Sequence, residues 1–99
     1  MTWYSVRHVI RNSRAFEERI TLWDASSFEE AVEVAKGEAQ AYASIDPSWE
    51  LLNFFQVFSL GDRPGSGDEV FSLIRESDLD AEGYVTEFFE SGKELQTDL

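Results

Sequence analysis

Residues 49–60, Trp-Glu-Leu-Leu-Asn-Phe-Phe-Gln-Val-Phe-Ser-Leu, are apolar at both parities. In an extended chain Leu52, Phe54, Phe58 and Leu60 share one side, and Leu51, Phe55 and Val57 share the other. A strand of this kind is covered twice, which predicts a central place in a sheet. Whatever else the chain forms must therefore supply layers for that strand.

The neighbouring segments have readable periods. Residues 3–11 and 16–23 alternate and are rich in aromatic and β-branched side chains, and Asn12-Ser13-Arg14 between them has turn chemistry. A β-hairpin follows. With Ile10 opposite Phe16, the antiparallel register pairs His8 with Glu18, Val6 with Ile20 and Tyr4 with Leu22. Tyr4, Val6, Ile10, Phe16, Ile20 and Leu22 then form one apolar face, and Trp3, Arg7, Arg19 and Trp23 the other.

A helix comes next. Ser26 or Ser27 caps it, with Glu29 or Glu30 completing a capping box. Phe28, Ala31, Val32, Ala35, Ala39 and Tyr42 recur at helical steps as one stripe. Asp46-Pro47 ends the segment, because the residue before a proline disfavours the helical region. Beyond 49–60, Gly, Pro, Ser and Asp between 61 and 68 read as a loop. Residues 69–75 alternate as a fourth strand. A second helix starts near Ser77 or Asp78, carries Leu79, Tyr84, Val85, Phe88 and Phe89, and stops at Gly92.

The expected fold is thus α+β with the order ββαββα, a four-stranded, mainly antiparallel sheet with two helices packed on one face. Residues 1–92 form one domain and 93–99 a flexible tail. On this arrangement Trp3, Trp23, Leu51, Phe55 and Val57 occupy an uncovered sheet face. A homodimer is the economical cover for such a face.

Charge limits the partners. The 99 residues hold 8 Lys+Arg against 20 Asp+Glu, a formal net charge of −12. The imbalance is uneven: residues 1–25 carry +1 and residues 26–99 carry −13. Nucleic acid and anionic membrane are disfavoured, because phosphate binding needs clustered Lys and Arg. A basic protein is attracted instead. Glu29, Glu30, Glu33 and Glu38 on the first helix, with Asp78, Asp80, Glu82 and Glu87 on the second, are the candidate contacts. No run approaches the roughly 20 apolar residues of a membrane helix. Met1 is not followed by a basic and then an apolar stretch, so a cytoplasmic chain is expected. With no cysteine, thiolate metal sites and thiol nucleophiles are excluded.

Several residues resemble a small uncharacterised bacterial family, domain of unknown function 4288. They are Trp3-Tyr4, Glu17-Glu18-Arg19-Ile20, Ala25, Glu30-Ala31, Ala35 and Gly67-Asp68-Glu69-Val70-Phe71-Ser72. The similarity runs from about residue 3 to 88. It implies a small cytosolic α+β domain, and no activity, cofactor or catalytic residue comes with it.

Candidate chemistry is sparse. His8, the single histidine, faces Glu18 in the expected register; with Tyr42 the two outline a pocket between sheet and helices, suited to a small-molecule binder or minor enzyme. No nucleophile accompanies them, so no catalytic residue is assigned. Asp78-Leu79-Asp80-Ala81-Glu82-Gly83 resembles half a calcium loop, but its twelfth position is Phe89 where a bidentate Glu belongs. Arg63, Gly65, Ser66 and Gly67 lack the lysine of a phosphate loop. Neither a metal nor a cofactor is assigned. The leading expectation is a non-enzymatic acidic binding module, of the kind that neutralises a basic enzyme as an immunity protein or antitoxin does.

Overall fold

A computed structural model describes residues 1–95. The elements are β1 (Thr2–Asn12), β2 (Ala15–Ala25), α1 (Phe28–Ala43), β3 (Glu50–Gly61) and α2 (Ala81–Phe88). The three strands make an antiparallel sheet in the order β2-β1-β3. The architecture is α+β, as the alternating and helical periods require, with the order ββαβα. The expected tail, 93–99, lies partly outside the described residues.

Three expectations are corrected. The strand apolar on both parities is β3, yet it lies at an edge, and β1 is the centre. Residues 69–75 form no strand; they run across the sheet face where a fourth strand would have joined its edge. There the Ser5 hydroxyl donates to the Val70 carbonyl and the Phe71 ring lies 6.1 Å from that of Phe58. Lastly, only α1 packs on the sheet. Helix α2 makes no packing contact with the strands or α1, and none of its residues is buried. It is held from the side by Arg75, which donates to the Tyr84 hydroxyl at 3.1 Å and lies 4.1 Å from the Phe88 ring centre.

The hairpin register is shifted by one residue from expectation. Ile10 faces Glu17 and Arg11 faces Phe16, so Asn12 pairs with Ala15 and the loop shrinks to Ser13-Arg14. Ser13 takes φ 56°, the left-handed region in which two-residue hairpin loops turn. A two-residue loop in place of a three-residue one reverses the face of every β2 side chain. Glu17, Arg19, Thr21, Trp23 and Ala25 consequently share the α1 side with Tyr4, Val6, His8 and Ile10. Phe16, Ile20 and Leu22 point away and remain 56%, 49% and 44% exposed.

Helix α1 is built as its sequence indicates. The Ser27 hydroxyl accepts from the Glu30 backbone at 3.1 Å, and the Glu30 carboxylate accepts from the Ser26 backbone at 2.7 Å. Ala31, Ala35, Ala39 and Ala43, four apart, are its buried residues. Their small side chains let the helix lie close on the sheet. Tyr4, Val6, Ala25, Ala31 and Ala35 form the core, and Trp23, Phe55 and Val57 pack against it.

Candidate functional site

The polar chemistry of the helix-covered face gathers at the far end of the hairpin from the Tyr4–Ala25 core. Strand alternation brings His8 of β1 beside Arg19 of β2. Arg19 donates from both terminal nitrogens to the two Glu38 oxygens, each at 3.0 Å. Its guanidinium carbon also lies 3.7 Å from the centre of the Tyr42 ring. Glu38 and Tyr42 stand one helical turn apart on α1, which is why one arginine reaches both. The Tyr42 hydroxyl, in turn, donates to Glu17 at 3.0 and 3.1 Å.

His8 is wholly buried. Arg19 Nη1 lies 3.3 Å from its Nε2. A guanidinium can only donate, so Nε2 accepts and the ring proton resides on Nδ1. Nδ1 is buried without a hydrogen-bond partner among the described residues, and the Phe55 ring centre lies 5.9 Å from that of the imidazole. Burial pushes the imidazole below its ordinary 6.5; Arg19 pushes the same way, against Glu38 and Glu17. This histidine is a neutral core group with no opening to a substrate. For Tyr42, the bond to Glu17 favours the neutral phenol and, with burial, raises the hydroxyl above its ordinary 10.0.

The expected pocket of His8, Glu18 and Tyr42 does not assemble. Glu18 is on the other face, paired with Arg7, and its place beside Tyr42 belongs to Glu17. The one-residue register shift accounts for the exchange. A cavity of about 190 Å³ does open at this corner, lined by Ile10, Glu17, Tyr42, Ile45, Asp46 and Trp49. Sequence reasoning missed every lining residue except Tyr42. The local signal was present in Asp46-Pro47-Ser48-Trp49, whose aspartate accepts from the Ser48 backbone at 3.0 Å and its hydroxyl at 2.8 Å. Those bonds hold the Asp46 carboxyl below its ordinary 3.8. Asn12 donates to the Ser48 hydroxyl at 3.0 Å, tying the turn to the end of β1.

The expected dimer face is also redistributed. Leu51 pairs with Ile10, Phe55 with His8 and Val57 with Val6. These three therefore share the α1 side with Trp23, whereas Trp3, next to Tyr4, is on the opposite side. The sequence pattern was apolar at both β3 parities and so could not say which one the helix covers.

Of the eight candidate contact carboxylates, Glu38 is half-buried and bound to Arg19; the other seven are exposed. Glu30 caps α1 as described, and Asp80 caps α2 by accepting from the Gly83 backbone at 2.7 Å. A Cβ at Gly83 would stand 2.9 Å from that Asp80 oxygen, so a larger residue there would displace the capping carboxylate. Glu29, Glu33, Asp78, Glu82 and Glu87 enter no ion pair among the described residues. The Gly65 backbone donates to Asp68 at 2.7 Å, so the glycine loop directs this N–H to its own carboxylate. Among the described residues no three His, Cys, Asp or Glu side chains gather as a metal-binding group. Among them also, no helix is long and apolar enough to cross a membrane.

No family model, curated protein or solved structure matches the chain.

Proposed function

We propose that this chain is a non-enzymatic, acidic protein-binding module for a basic protein, acting in the cytoplasm as an inhibitor or adaptor. The observation that carries the reading is the group of exposed carboxylates on α1 and beside α2 that enter no ion pair among the described residues. Arg7, Arg11 and Arg19 are engaged by Glu18, Glu50 and Glu38, and Lys36 is the single cation on α1 against Glu29, Glu30, Glu33 and Glu38, so the helix surface keeps a net negative charge. Such a surface steers a basic partner into contact and fixes its orientation. Glu29 and Glu33 are the residues to reverse, because neither caps the helix. Glu29→Lys with Glu33→Lys should weaken the complex and flatten its salt dependence; an unchanged affinity would remove α1 from the interface.

Self-association is a second reading, favoured by one observation. Phe16, Ile20 and Leu22 are roughly half exposed on one face of β2, with Glu18, paired to Arg7, between Phe16 and Ile20. A second copy laid on this face would cover it. Light scattering should then give twice the chain mass for the wild type and the single mass for Ile20→Glu. A wild type that is monomeric at high concentration contradicts the dimer.

A further inference from the structure

The cavity at the end of α1 has a chemistry that neither the acidic surface nor the hairpin network requires. Two of its lining groups are aromatic, Tyr42 and Trp49; two are aliphatic, Ile10 and Ile45; two are carboxylates, Glu17 and Asp46. No cation lines it. Arg19 lies over the Tyr42 ring and is held by both oxygens of Glu38, and Arg11 is paired with Glu50. Asp46 uses one oxygen, Oδ1, for both Ser48 donors, and Oδ2 makes no hydrogen bond among the described residues. Among the described residues Glu17 accepts only from the neutral Tyr42 hydroxyl. The site is therefore negative, with acceptor capacity left over beside aromatic rings.

Size narrows the occupant. A volume of about 190 Å³ is below the roughly 300–1,000 Å³ of sites for drug-sized ligands. It suits one side chain. Carboxylates beside aromatic rings favour a cation, and a planar guanidinium uses both features at once by stacking on a ring and donating in parallel to oxygens. Arg19 already stacks on Tyr42 while donating to a carboxylate, which demonstrates that geometry in this corner of the fold.

We infer that the cavity receives an arginine side chain of the basic partner, with Glu17 and Asp46 taking its guanidinium and Trp49 covering its plane. This deepens the proposed function and rests on it for the source of the arginine. The test needs no partner. The amide spectrum and tryptophan indole signals of the full chain, with Trp49 assigned from Trp49→Phe, are followed during titration with N-acetyl-arginine methylamide. Parallel titrations use the citrulline analogue, a neutral isostere, and the lysine analogue. The arginine probe should saturate the Trp49 signal, and the citrulline probe should bind at least about fivefold more weakly, as expected for a partly exposed charged contact. Asp46→Asn, on an exposed turn, and Glu17→Gln should each weaken arginine binding about threefold, with the amide spectrum reporting that each variant is folded.

Equal binding of arginine and citrulline overturns the inference, as do shifts scattered over the acidic helices with none at Trp49. Equal binding of lysine overturns the guanidinium assignment. If the cavity ignores the probes while a basic partner is still captured, the cavity fails and the module reading stands. If the probes bind and no basic partner exists, the source of the arginine is refuted.

Discussion

Arg19 and Glu38 meet through two parallel hydrogen bonds of 3.0 Å, joining the edge strand β2 to the middle of α1. Both side chains are largely shielded, at 18% and 34% exposure. The pair favours the observed side of β2, because the alternative register would place Arg19 on the far face, away from Glu38.

Removing one member should therefore cost more than a surface ion pair would. Arg19→Met strands a shielded carboxylate, uncovers the Tyr42 ring and leaves His8 Nε2 without a donor. Urea unfolding should register a loss of about 2–3 kcal/mol. Glu38→Gln keeps one acceptor oxygen and should lose about 1 kcal/mol. A loss under about 0.5 kcal/mol for Arg19→Met, the range of exposed pairs, would contradict this role.

His8 gives the stability a pH dependence of definite sign. Its folded pKa lies below the 6.5 of the unfolded chain, so the unfolded chain takes up the proton first. The contribution of the neutral imidazole is complete above about 6.5 and is lost as pH falls from there through the folded value. Wild-type unfolding free energy should drop as pH falls below the ordinary 6.5 of histidine toward the lower folded value. His8→Phe should show a flatter profile over the same interval; parallel profiles would contradict the assignment.

The hairpin register is testable with adjacent residues. Trp23 packs on the core and Leu22 points away. Measured on dilute, monomeric protein, Trp23→Ala should cost about 3 kcal/mol and Leu22→Ala about 0.5 kcal/mol. The reverse ranking is what the three-residue loop requires.

At the turn itself, Ser13 is a non-glycine residue at φ 56°. Asparagine tolerates that region better than serine and a β-branched residue much worse. Thermal melts should show Ser13→Asn equal to the wild type or more stable, and Ser13→Val less stable by about 1–2 kcal/mol.

Much of this fold was legible in the residues. The period-2 alternation of β1, the serine cap and four-residue alanine spacing of α1, and the Asp46-Pro47 stop each act locally. The face of β2 was not legible, because its apolar residues Phe16, Ile20 and Leu22 suggested one side while its tertiary partners lay on the other. Glu38 and Tyr42, 19 and 25 residues beyond the strand positions they bind, outweighed that local pattern. Residues 69–75 misled for a related reason. Alternation says that a segment can be extended, but only a free edge at the right place makes it a strand. For the candidate site, Tyr42 was found from the helical stripe. Glu17 was displaced by its neighbour Glu18, and Trp49 was read as the start of an apolar strand rather than as the wall of a cavity.

The central claim is that the acidic helix surface engages a basic protein, and paired capture experiments test it most directly. Tagged wild-type chain and the Glu29→Lys, Glu33→Lys variant are presented to the same lysate of the source organism at low and at high salt, and bound proteins are identified and quantified by mass spectrometry. The account predicts one stoichiometric basic protein, retained by the wild type at low salt and lost both at high salt and from the charge-reversed chain. An identical set of bound proteins for the two chains, or a wild type that retains no basic protein at low salt, would contradict it.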